Sequence, residues 1–182
     1  VVFDKIWPLV RHETLHERLA ESFDLLAVDA LHYQQLQVQV QSCKHKKRKD
    51  AGVFNEAAYI KLILSLKHIA VEHQKLLTMQ LPDIHHPMLD VIQVDLELSL
   101  GRLKQSLLHN MLSSFEGYEL ERVCESLAYR IREKTDLDEK TRFELEACYA
   151  LIKRLIVSIH ECHAALNGIL NADVFNNAMT AA

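Results

Sequence analysis

The chain has 182 residues, 49% hydrophobic and 25% charged, enough for one core and too apolar for a disordered segment. Only 4 glycines and 3 prolines speak against a hairpin-rich fold, which needs residues tolerant of positive φ. A formal charge of −4 gives no general pull toward nucleic acid, no apolar run reaches the ~20 residues of a membrane span, and no signal peptide opens the chain.

The first helix is expected from about Pro8 to about Gln41. Proline suits a first helical turn, and Leu15, Leu19, Ser22, Leu26, Ala30 and Tyr33 form one stripe at helical spacing. Lys44-His45-Lys46-Lys47-Arg48-Lys49 then places five cations in six residues, a self-repelling block suited to a solvated loop or helix end. After Gly52, Asn55 is placed to cap a second helix reaching about Met79, with Ala58, Leu62, Leu66, Ile69 and Leu76 in register. The proline-bounded stretch Leu81 to Pro87 reads as a loop.

Met88 to Leu112 carries Leu89, Ile92, Leu96, Leu100, Leu103, Leu107 and Met111 in helical register. Within it Val94 to Leu100, VDLELSL, also alternates with period two. Length decides for helix, because about 25 residues without a turn signal exceeds an ordinary strand. Gly101 is expected to mark a close helix crossing. A shorter helix follows with Leu120, Val123, Leu127 and Ile131 inward. Asp136 or Asp138 starts the last helix, whose stripe runs from Leu145 through Cys148, Leu155, Ile159 and Cys162 to Ile169; Gly168 and Asn171 suit its end.

Cys43, Cys124, Cys148 and Cys162 form no CxxC pair. Inside helices such thiols behave as small apolar groups, and the pattern suits a reducing compartment. The chain opens on Val1 rather than methionine, which suggests an excerpt of a longer protein or a processed product.

The one catalytic-looking string is His12-Glu13-Thr14-Leu15-His16, an HExxH match. On a helix it sets His12 and His16 one turn apart to share a zinc, with Glu13 as general base. A zincin also needs a third ligand and a sheet edge for the peptide; no strand is evident, and with 11 histidines chance matches come easily. Glu13-x-x-His16 is also half of a di-iron bundle motif, but no second ExxH occurs. His160-Glu161-Cys162-His163 and the group His68, Glu72, His73 are looser candidates, better read as helix edges. The cations Lys44, Lys46, Lys47, Arg48 and Lys49 suit anionic lipid headgroups; no aromatic residues interleave with them, which disfavours single-stranded nucleic acid.

Three stretches carry a family resemblance. IWPLVRHETLHERLAESFDLLA resembles the segment after the last membrane helix in the aromatic-acid-exporter and fusaric-acid-resistance superfamily, to which the plant aluminium-activated malate transporters are related. LPDIHHPMLDVIQVDLELSLGRLKQSLL is similar to its proline-punctuated loop and following helix, and GYELERVCESLAYRIREKTD resembles the start of its closing helical pair. The resemblance implies a cytoplasmic helical domain of a membrane transporter exporting organic or aromatic acids. Its pore lies in membrane helices outside this sequence, so no site residue carries over.

The expectation is an all-α, up-and-down bundle of about five long helices, with residues 1–172 as one domain and 173–182 as a loosely ordered tail. It is expected to be non-catalytic and to need no cofactor. It would serve in assembly or regulation, at the cytoplasmic side of a membrane or in the cytoplasm. Its partners would be the remainder of a larger membrane protein, an anionic surface through Lys44 to Lys49, or partner helices, as in an adaptor or tethering protein. The first alternative is such a helical adaptor or tethering protein and the second a zinc hydrolase through His12, Glu13 and His16; a homo-oligomer is compatible with each.

Overall fold

A computed structural model of the chain describes residues 15–23, 30–49, 54–79, 86–109, 111, 118–133 and 136–181. Side-chain surroundings are described for these residues except 30, 46–49, 86, 88–89, 118–119 and 172–181. The described residues form six helical stretches and no strand: α1 (residues 15–23), α2 (Ala30–Lys49), α3 (Glu56–Thr78), α4 (His86–His109), α5 (Tyr118–Glu133) and α6 (Glu139–Ala181).

The count exceeds five because the first expected helix is two. Ser22 Oγ lies 2.7 Å from His32 Nε2. Ten residues of continuous helix would separate those positions by roughly 15 Å along the axis. α1 and α2 therefore fold back on one another.

The 43-residue α6 is the spine. It packs against α3, its most extensive partner, and against α4 and α5; α4 also meets α5, and α2 lies on α3. Side-chain pairs give the directions. Lys44 pairs with Glu56 while Tyr33 reaches the Leu66 carbonyl at 3.5 Å, so α2 runs antiparallel to α3. Asn55 bonds the Gly168 carbonyl at 3.4 Å and Arg154 bonds Glu72 at 3.1 Å, which sets α3 antiparallel to α6. His160 faces Glu121 at 3.5 Å, and Arg142 donates to the Ile131 carbonyl at 3.1 Å, so α5 also opposes α6. That last bond also satisfies a carbonyl in the final turn of α5, which has no intrahelical partner.

The core follows the sequence stripes. Leu145, Cys148, Leu155, Ile159, Cys162, Leu166 and Ile169 of α6 are all buried, as are Ile92, Leu96, Leu100, Leu103 and Leu107 of α4. α3 lies between α2 and α6, so it buries a wide arc that includes Tyr59, Leu62, Ile63, Leu66, Ile69 and Ala70; Leu64 and Leu77 stay exposed. Helix starts are capped as expected: Asn55 Oδ1 accepts from Ala58 N at 3.1 Å, and Asp138 Oδ1 accepts from Thr141 N at 2.6 Å. Each supplies an acceptor for an N–H that the first turn leaves open.

Three boundaries and one expected crossing differ from the sequence reading. α2 continues through Lys49, so the basic run forms its last turns, where cations oppose the helix dipole. His86 and Pro87 belong to the first turn of α4 rather than to the loop. α6 continues past Gly168 and Asn171 to Ala181, taking in most of the expected tail. Gly101 marks no crossing, since a Cβ there would meet nothing within 4 Å; the close approach is at Gly168, where a Cβ would lie 3.2 Å from that of Ala58.

Candidate functional site

Of the HExxH residues, His12 and Glu13 lie outside the described residues. His16 sits in α1 with its Nε2 2.8 Å from the Tyr59 hydroxyl, and the two rings are 5.9 Å apart. Tyr59 is buried and stacked on Phe54 at 4.9 Å. The outer nitrogen that a zinc would need is thus engaged in docking α1 onto α3. Among the described residues no group of three or more His, Cys, Asp or Glu could hold a metal ion.

The looser histidine groups are also engaged. His73 is buried and bonds Gln93 of α4 at 2.6 Å. Its neighbour Glu72 takes Arg154 at 3.1 Å and Lys75 at 3.5 Å. His160 faces Glu121, and Cys162 points into the core with its thiol pushed up by burial, partly offset by the Ser65 hydroxyl. The structure brings none of these groups together.

In the basic run, Lys44 pairs with Glu56, which also accepts from Gln41 Nε2 at 2.6 Å. The side chains of Lys46, Lys47, Arg48 and Lys49 lie outside the described ones. What is fixed is their place at the C-terminal end of α2, away from its contact with the middle of α3.

A concavity of about 730 Å³ lies between α5 and α6. Its apolar lining comes from Cys124, Ala128 and Ile131 of α5 and Tyr149, Ile156 and Val157 of α6. Glu121, Glu125 and Glu146 rim it together with Arg132 and Lys153. From Glu121 to Arg132 it follows α5 for roughly 16 Å at the helical rise per residue, or about three turns.

The groove exists because α5 is a narrow amphipathic helix. Leu120, Leu127 and Ile131 fill its contact with the bundle, while the next small residues along the arc, Cys124 and Ala128, leave room above α6. On the α6 side, Tyr149 and Ile156 are half-buried and Val157 is exposed. Lys153 Nζ lies 5.2 Å from the centre of the Tyr149 ring, a cation–π contact that holds the ring along the groove wall.

Burial pushes the Cys124 thiol up; Lys153 opposes this, and Glu125 and Glu121 add to it. A nucleophilic cysteine needs the reverse, a lowered pKa. The sequence reading missed this site. Its signal was a second run of apolar and aromatic residues off the main stripes, at Ala128, Tyr149, Ile156 and Val157.

The chain matches no protein-family model, no curated protein and no solved structure.

Proposed function

We propose that the chain is a non-catalytic helical domain that acts in assembly, taking an amphipathic partner helix in the α5–α6 groove. The observation that carries this is the groove itself: about three turns long, apolar along its floor, with charges of both signs at its rim. A partner helix would set apolar residues at i, i+3, i+4 and i+7 on Ala128, Tyr149, Ile156 and Val157, with its own charges against the rim. Tyrosine is a frequent energetic anchor in such contacts.

The resemblance to the exporter superfamily gives that partner a class, the remainder of a membrane transporter for organic or aromatic acids. No described helix is long and apolar enough to cross a membrane, so on this reading any membrane contact is made by the partner, or electrostatically by Lys46 to Lys49 at the end of α2.

The test is photo-crosslinking in the native cell from position 157, with a control at the exposed Lys61 of α3. The reading expects a crosslink from position 157 alone, mapping to an amphipathic helical segment of one protein. Crosslinks equal at both positions, or none, would contradict it.

A further inference from the structure

We infer that α4 is a self-association helix, pairing antiparallel with α4 of a second copy of this chain through the face turned away from the bundle. This rests on a different face from the α5–α6 groove and stands or falls independently of it.

α4 has two apolar stripes. Its inner stripe, from Ile92 to Leu107, is fully buried. Val91, Val94, Leu98 and Leu108 are 49%, 56%, 57% and 40% exposed, and with Gly101 and Gln105 they repeat at alternating steps of three and four. At about 3.6 residues per turn this second stripe falls on the opposite side of the helix. Three- and four-residue steps are the heptad spacing of a helix that packs knobs into holes on another helix.

The charges choose the partner and its direction. The N-terminal half of α4 carries Asp90, Asp95 and Glu97 and no Lys or Arg; the C-terminal half carries Arg102 and Lys104 and no acid. Of these, Glu97, Arg102 and Lys104 flank the exposed stripe, whereas Asp95 Oδ2 is buried within the chain. Laid antiparallel on itself about a two-fold axis between Ser99 and Leu100, the helix sets Glu97 beside Lys104 of the second copy, an attractive pairing that two-fold symmetry makes occur twice. A parallel pairing lays the acidic half of one copy along the acidic half of the other.

The same register sets Val91 opposite Leu108, Val94 opposite Gln105 and Leu98 opposite Gly101. At Gly101 a Cβ would meet nothing within 4 Å, and the surface there is hollowed alongside Leu98, Arg102 and Gln105. The glycine costs helix stability; here it leaves a notch for the Leu98 side chain of the second copy. Gly101 and the alternation of VDLELSL thus have one explanation, a helix that packs on both sides.

Sedimentation equilibrium of the full chain tests this directly. The expected mass is twice 21.0 kDa. Leu98→Glu, at a position exposed in the single chain, is expected to keep the helical circular dichroism and weaken the dimer on the order of 100-fold. Mixing Val94→Cys and Gln105→Cys chains under mild oxidation is expected to give the mixed disulfide in preference to either homodimer. A monomer at every concentration, a dimer indifferent to Leu98→Glu, or a preferred Val94→Cys homodisulfide would overturn the proposal.

Discussion

Gly168 of α6 lies so close to Ala58 of α3 that a Cβ on the glycine would stand 3.2 Å from the alanine Cβ and 3.4 Å from Asn55 Nδ2. Asn55 meanwhile caps α3 and reaches the Gly168 carbonyl. One contact thus sets the spacing of the two central helices and the start of one of them. The alanine Cβ cannot rotate away, so any side chain at 168 must push the helices apart. Gly168→Leu is expected to cost about 1–3 kcal/mol, and Gly168→Ala to forfeit the helix-propensity gain. Gly101→Ala, by contrast, is expected to gain about 0.5–1 kcal/mol. Urea unfolding in a Leu98→Glu background, which removes any contribution from pairing through α4, measures all three. Equal effects at 101 and 168 would contradict the assignment of the crossing to Gly168.

The His16–Tyr59 bond gives His16 a docking role between α1 and α3. Tyr59→Phe and His16→Ala are each expected to lower stability by about 1 kcal/mol, with no change in metal content. Purified protein analysed for zinc is expected to hold less than stoichiometric metal. One zinc per chain, lost in both His12→Ala and His16→Ala, would restore the hydrolase reading.

Hydrogen bonds from the Thr141 side chain and backbone hold the Asp138 carboxyl below its usual value of 3.8. A folded-state value below the unfolded one means the cap adds stability above the unfolded pKa and loses it as pH falls through the folded one. Asp138→Ala is therefore expected to lower Tm at pH 7, and the gap to the native chain to close as pH drops well below 3.8. An unchanged gap at acid pH would show that the carboxylate charge is irrelevant to the cap.

None of the four cysteines is in a disulfide, and all are buried. Burial, with the neighbouring Cys124 adding to it, pushes the Cys148 thiol up to about 11. At pH 7.5 a thiol reagent is expected to label the native chain slowly and the denatured chain at all four positions. Fast stoichiometric labelling of the native chain would mean that one thiol is accessible and activated.

The long stripes were legible because each helix that faces one core keeps a single apolar register; α6 and the inner face of α4 show this residue by residue. The reversal between α1 and α2 was hidden because Leu19, Ser22, Leu26, Ala30 and Tyr33 keep helical spacing across it, and no glycine or proline stands between Phe23 and Ala30. Gly101 was expected at a crossing and Gly168 at a helix end, and neither holds, since only the neighbouring helix distinguishes a crossing from an open face. The α5–α6 groove was illegible for a related reason. The apolar residues off the main stripes were visible, but whether they form a groove depends on how α5 is rotated on α6, and no periodicity within either helix records that angle.

The proposed function stands on the groove, and one binding measurement tests it most directly. The partner segment crosslinked from position 157 would be made as a peptide and titrated into the native chain and into Val157→Glu. Binding to the native chain is expected, with at least roughly tenfold weakening in the variant from losing one buried valine contact. Equal affinity for both proteins would place the partner elsewhere on the bundle and contradict the account.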